Sequence, residues 1–196
     1  MRKSVGLFFG TFNPVHIGHL ILANHLVEYA ALDEVWLVVT PHNPHKKKSS
    51  LLNDYHRYDM VWEMCEDYPK LRPSNIEFDL PQPNYTVNTL AHLEEKFPDY
   101  DFVLIMGEDN LKSFPKWKNY QVILERYSLL VYPRFSQGEV APELIDHPRI
   151  RLVDAPRIEL SSTFIRDAIK EGKDIRPMLP TKVWEYVERN GFYKTP

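Results

Sequence analysis

Cysteine is nearly missing from this chain of 196 residues, and Cys65 stands alone. One thiol cannot close an intrachain disulfide, and one sulfur is a poor start for a metal site. Cys65 therefore reads as a small buried hydrophobe on a helix, and a reducing, cytoplasmic setting is expected. A surplus of one charge is also lacking. The formal net charge of −3 argues against a nucleic-acid partner, for which a strong basic excess is expected. No apolar run approaches the ~20 residues of a membrane-spanning helix, so no membrane association is expected. The run from Val5 to Phe9 is too short for the core of a signal peptide, and a Gly-Thr-Phe-Asn-Pro turn follows it. Glycine is scarce at seven residues, and none falls in a GxGxxG or Walker-lysine pattern. Repeats, low-complexity tracts and linkers are absent.

What is present is core material. Hydrophobic residues make up 43% of the chain, enough for one domain over residues 1–196 with a C-terminal helical part from about 161. Short apolar runs at Val5–Phe9, Glu34–Thr40, Asp101–Met106 and Ser128–Tyr132 read as buried strands. Asn75–Leu80 and Ile150–Val153 read as two more. Helical spacing marks Gly18–Ala30, Asp54–Asp67, Thr86–Phe97, Trp117–Arg126, Ser162–Glu171 and Thr181–Asn190. Thr86 or Asn84 is the expected cap of the third helix, and Gly172 and Gly191 stand where helix-ending glycines belong. The alternation predicts a Rossmann-like α/β fold, an open, mostly parallel sheet with helices on both faces. Ligands then bind beyond the carboxyl ends of the strands, which gathers the loops at 10–18, 41–53, 107–117 and 156–162.

Two of those loops carry chemistry. After the first strand comes Gly10-Thr11-Phe12-Asn13-Pro14-Val15-His16-Ile17-Gly18-His19. A helix N-terminus there offers free N–H groups and partial positive charge to a phosphate. Gly10 and Gly18 let backbone approach a ligand, and His16 and His19, three apart, can both donate to phosphate oxygens. A zinc site would need further ligands at suitable spacing, and none is evident. Near the other end, Ser161, Ser162 and Thr163 are good N-cap residues, and Arg166 lies in the first turn of the helix they open. A cation opposes the helix dipole there unless an anion is bound.

The first loop resembles the T-x-x-P-x-H-x-G-H signature of the nucleotidyltransferase superfamily, and Leu160-Ser161-Ser162-Thr163-Phe164-Ile165-Arg166 resembles its I-S-S-T-x-I-R motif. Phe9 and Asn13 depart from the usual glycine and aspartate. The middle of the chain resembles the bacterial nicotinate-mononucleotide adenylyltransferases: Tyr85-Thr86-x-x-Thr89-Leu90, Gly107-x-Asp109-x-Leu111, Trp117, the His42-Asn43-Pro44-His45-Lys46 loop and Tyr55-His56-Arg57. The resemblance implies adenylyl transfer from ATP to nicotinate mononucleotide. It implies that Gly10, Thr11, Phe12, Gly18, Gly107, Asp109, Ser161, Ser162 and Thr163 bind ATP, with His16, His19, Arg166 and Lys46 as the catalytic set. Tyr85, Thr86, Trp117, Asn43 and Lys118 would hold the mononucleotide, with Trp117 stacked on its ring. Lys118 stands where tyrosine is frequent. Mg²⁺ is expected to arrive with ATP rather than on a dedicated carboxylate cage. Pantetheine phosphate or nicotinamide mononucleotide as acceptor, and a non-catalytic nucleotide sensor, are the alternatives. Oligomeric state is left open.

Overall fold

The computed structural model describes residues 2–41, 51–134 and 139–194. Its strands are β1 (Lys3–Gly10), β2 (Glu34–Val39), β3 (Leu71–Ser74), β4 (Tyr100–Gly107), β5 (Ser128–Tyr132) and β6 (Ile150–Leu152). Its α-helices are α1 (Ile17–Tyr29), α2 (Asp54–Cys65), α3 (Thr86–Lys96), α4 (Glu108–Ser113), α5 (Tyr120–Arg126), α6 (Pro142–Ile145), α7 (Ser162–Lys170) and α8 (Thr181–Arg189). The six strands form one parallel sheet in the order β3-β2-β1-β4-β5-β6.

Period-two alternation sends neighbouring residues of each strand to opposite faces. Phe8, Val35, Leu37, Val39 and Ile105 pack with α1, α2, α7 and α8. Val5, Leu7, Trp36, Val38, Phe102, Leu104 and Met106 pack with α3, α4, α5 and α6. Both faces are covered, which is why the strands read as continuous apolar runs. Full burial of each such side chain contributes about 1.5–3 kcal/mol. Cys65 is buried in the first of these layers, and burial pushes its thiol up to about 12. Strand order reverses between β1 and β4, so the crevice for a ligand opens beyond Gly10 and Gly107.

Both predicted helix-ending glycines have positive φ, +67° at Gly172 and +64° at Gly191. Each closes a Schellman motif: Lys173 N–H reaches Ala168 O and Phe192 N–H reaches Val187 O. Three expectations are corrected. Asn75–Leu80 is a turn, and the strand lies earlier at Leu71–Ser74. Pro73 is tolerated there because β3 is an edge strand paired with β2 alone. The helix expected from Trp117 begins at Tyr120, after a 3₁₀ turn at Phe114–Lys116 that leaves Trp117 extended. Neither Thr86 nor Asn84 caps α3: Tyr85 holds the N-cap position, and Asn84 is drawn to the carbonyl of Glu77.

Candidate active site

One cleft of about 1240 Å³ opens beyond the carboxyl ends of β1 and β4. Its floor is the turn after β1. Phe12 sits in the left-handed region at φ 45°, with its ring buried edge-on against Phe8 and His19. A Cβ on Gly10 would stand 2.8 Å from that ring, so the glycine makes room for the turn. The next residues enter α1, with His16 at its N-cap. The His16 and His19 rings lie against each other, tilted by 30° with their centroids 3.7 Å apart. The backbone N–H of His16 donates to His19 Nδ1 at 3.2 Å, which puts the proton of the neutral His19 ring on Nε2. His16 is almost fully buried. Burial first, and then the charge of Arg134, lower it from 6.5 to about 4, so it is neutral at pH 7. Its Nδ1 has no hydrogen-bond partner among the described residues.

The far motif comes to the same turn. Ser161 caps α7, accepting the Phe164 N–H at 3.1 Å. Ser162 Oγ donates to Pro14 O at 2.9 Å. Arg166 donates to Asn13 O at 2.8 Å and to Thr163 Oγ1 at 3.2 Å. The N-terminal ends of α1 and α7 are thus fastened to each other across some 150 residues of sequence. On the opposite wall Tyr85, Thr86, Trp117 and Lys118 line the cleft. Trp117 packs against Phe114 at 5.4 Å, and Lys118 Nζ lies 4.3 Å from the centre of the Tyr85 ring. Asp109 lies between, ion-paired to Arg134 at 3.3 Å. Cations Lys116, Lys118, Arg134, Arg157 and Arg166 face the cleft against Glu77, Asp109 and Glu159, a balance that suits anionic ligands.

A cytidylyltransferase-like family model matches residues 7–168, from β1 into α7. A "probable nicotinate-nucleotide adenylyltransferase" of Christiangramia forsetii is 66% identical over 194 residues, covering 99% of this chain and all of the relative. One of the same name from Bacteroides thetaiotaomicron is 48% identical over 189 residues, covering 95% and 91%. The chain belongs to the nicotinate-nucleotide adenylyltransferase family. The fold agrees with that of the Plasmodium falciparum nicotinic acid mononucleotide adenylyltransferase complexed with NaAD, at a TM-score of 0.81 over 97% of each chain and 18% identity.

Set against this adenylyltransferase fold, the expected site residues divide cleanly. Gly10, Thr11, Phe12, His16, Gly18, His19, Tyr85, Thr86, Asp109, Trp117, Lys118, Ser161, Ser162, Thr163 and Arg166 all line the one cleft. Gly107 does not. It ends β4 behind Asp109, where a side chain would collide with the Asp109 carboxylate. Asn43 and Lys46 lie outside the described residues.

Two residues of the noted motifs have structural parts that the sequence does not disclose. Arg57 is fully buried and donates to the carbonyls of Thr11, Thr40, Pro41 and Leu52 and to the Asp54 carboxylate. Burial lowers its pKa, with Asp54 pulling the other way. It ties the phosphate turn to the end of β2. Asn13 Oδ1 accepts from Tyr193 Oη at 2.9 Å and from the Leu52 N–H at 3.2 Å. The amide that stands where an aspartate is usual is therefore an anchor for the C-terminal segment. Arg57 falls within the noted Tyr-His-Arg, but nothing in that tripeptide says that the arginine is buried.

Proposed function

We propose that the chain transfers the adenylyl group of ATP to nicotinate mononucleotide, forming nicotinate adenine dinucleotide and releasing pyrophosphate. The observation that carries this reading is the joining of the His16–His19 turn and the α7 N-terminus on one cleft, with Tyr85, Thr86 and Trp117 as its other wall. A triphosphate needs the first two and an anionic pyridine nucleotide suits the third.

A phosphate oxygen of the mononucleotide attacks the α-phosphorus in line, the bond to the β-phosphate oxygen breaks, and the electron pair leaves with pyrophosphate. The nucleophile is already anionic, so no general base is required. Catalysis is positioning and charge neutralisation. His19, with its Nε2–H, donates to the transferred phosphoryl group. His16 is neutral and holds the His19 ring by stacking. Arg166 and the N–H groups at the start of α7 take the β- and γ-phosphates, and Lys46 is assigned to the same phosphates. Trp117 stacks on the pyridine ring, and the α3 N-terminus at Thr86 receives the ring carboxylate. Mg²⁺ bound with ATP would supply further neutralisation of the phosphates.

The test is pyrophosphate release from ATP with nicotinate mononucleotide, nicotinamide mononucleotide or pantetheine phosphate as acceptor. Release that depends on nicotinate mononucleotide is expected. ATP binding without release in any of the three would make the chain a nucleotide sensor.

A further inference from the structure

Two buried oxygens in the acceptor wall lack a hydrogen-bond partner among the described residues. Glu77 is 2% exposed; its Oε1 accepts from Thr89 Oγ1 at 2.7 Å, and its Oε2 is unpaired. Asn84 is 7% exposed; its Nδ2 donates to the Glu77 carbonyl at 3.0 Å, and its Oδ1 is unpaired. That bond holds the two residues together, and both line the cleft directly before Tyr85 and Thr86. Leaving a buried acceptor without a donor costs about 1–3 kcal/mol, and more where it carries charge. Native folds keep few such groups, and those in a ligand cleft point to the ligand. With Glu77 ionised, both oxygens are acceptors: the Thr40 hydroxyl lies near enough to favour the carboxylate but makes no hydrogen bond of good geometry to Oε2, and Asn84 Oδ1 has no donor among the described residues.

The acceptor substrate narrows what that donor is. In nicotinate mononucleotide the ring carboxylate is ionised. The pyridine nitrogen carries the ribose and no hydrogen, and the phosphate is anionic. The 2′- and 3′-hydroxyls of the ribose are its dependable donors. A carboxylate near a strand end taking ribose hydroxyls is also the device of dinucleotide-binding sheets. We infer that Glu77 Oε2 and Asn84 Oδ1 receive the two ribose hydroxyls of the acceptor mononucleotide, which fixes the ribose between the ring on Trp117 and the attacking phosphate. The inference rests on nicotinate mononucleotide being the acceptor. Burial pushes the Glu77 carboxyl up, and the hydroxyls of Thr89 and Thr40 oppose that push. A ligand hydroxyl joins them in favouring the carboxylate.

The experiment compares nicotinate mononucleotide with its 2′-deoxy and 3′-deoxy analogues by pyrophosphate release, with ATP and again with 2′-deoxy-ATP. In the wild-type enzyme each deoxy acceptor should lose about tenfold or more in kcat/KM. Glu77→Gln and Asn84→Ala should lower kcat/KM for the full acceptor and bring its advantage over the deoxy analogues towards one. Equal kcat/KM for full and deoxy acceptors in the wild type overturns the inference without recourse to any variant. A loss confined to 2′-deoxy-ATP gives the pair to the other nucleotide and overturns it too. So do variants that slow full and deoxy acceptors by one common factor, since that is a structural effect. In all three cases normal turnover of the full acceptor leaves the proposed reaction standing. Absence of turnover with the full acceptor removes the reaction and this inference together.

Discussion

The phosphate end of the cleft and its acceptor wall hang on the same sheet, yet they are held in different ways. At the phosphate end, side chains grip backbone carbonyls: the buried Arg57 takes four, and the half-buried Arg166 and Ser162 take those of Asn13 and Pro14. One buried ring nitrogen, His16 Nδ1, lacks a partner there among the described residues, and the donors are aimed before any ligand arrives. The acceptor wall is looser. Lys118 is exposed and rests on the Tyr85 ring, and two buried oxygens wait unpaired. Fixed dipoles serve a step whose charge develops at the transferred phosphoryl group. An unsatisfied wall serves selection, because the right ligand completes it and the wrong one does not.

The sharpest way to break this contrast is at Arg166. Arg166→Ala should lower kcat/KM by about 10³-fold, through both ATP binding and turnover, since the guanidinium meets phosphate and also holds the turn. Arg166→Lys should recover only part of that, because an ammonium cannot span Asn13 O and Thr163 Oγ1 as a fork does. A fully active lysine variant would show that the fork geometry is irrelevant. His19→Ala should cost about 10²-fold in kcat with the fold retained by circular dichroism. A folded variant with normal turnover would remove this donor from the mechanism.

The burial of His16 at the phosphate end also predicts a pH signature. His16 sits at about 4 in the folded chain against 6.5 unfolded, so between those values the unfolded chain binds a proton that the native state does not. Its contribution is full above pH 6.5 and falls away as the pH drops towards 4. At about 1.4 kcal/mol per pH unit, the total is about 3 kcal/mol. Denaturant melts of wild type and His16→Gln across that window should diverge in slope, and parallel curves would contradict a buried neutral histidine. The smallest effect is expected at the looser wall. Lys118→Ala should change kcat/KM for the acceptor by about twofold to fivefold, the worth of an exposed cation over a ring.

The same contrast explains what the sequence disclosed. β1, β2, β4 and β5 were legible because strands buried on both faces are short unbroken apolar runs. β3 was not, since Leu-Arg-Pro-Ser carries an edge strand's proline, while Ile76 and Phe78 in the following turn imitate alternation. That misplacement also hid Glu77, which reads as a mid-strand residue. The phosphate motifs were legible because each is one local turn. The ties between them were not. Arg57 to Thr11 spans 46 residues and ends on a backbone carbonyl, which leaves no residue type to notice, and Tyr193 to Asn13 spans 180.

The central claim is that an anionic pyridine mononucleotide receives the adenylyl group, and the ratio of kcat/KM for nicotinate over nicotinamide mononucleotide tests it most directly. The two differ in one ring substituent, so stacking on Trp117, as proposed, would not tell them apart. Only the donors about that substituent discriminate, and N–H groups at the start of α3 favour a carboxylate while leaving an amide nitrogen facing donors. At saturating ATP and Mg²⁺ the account predicts a ratio of about 10² or more. A ratio of one, or a preference for the amide, would contradict it.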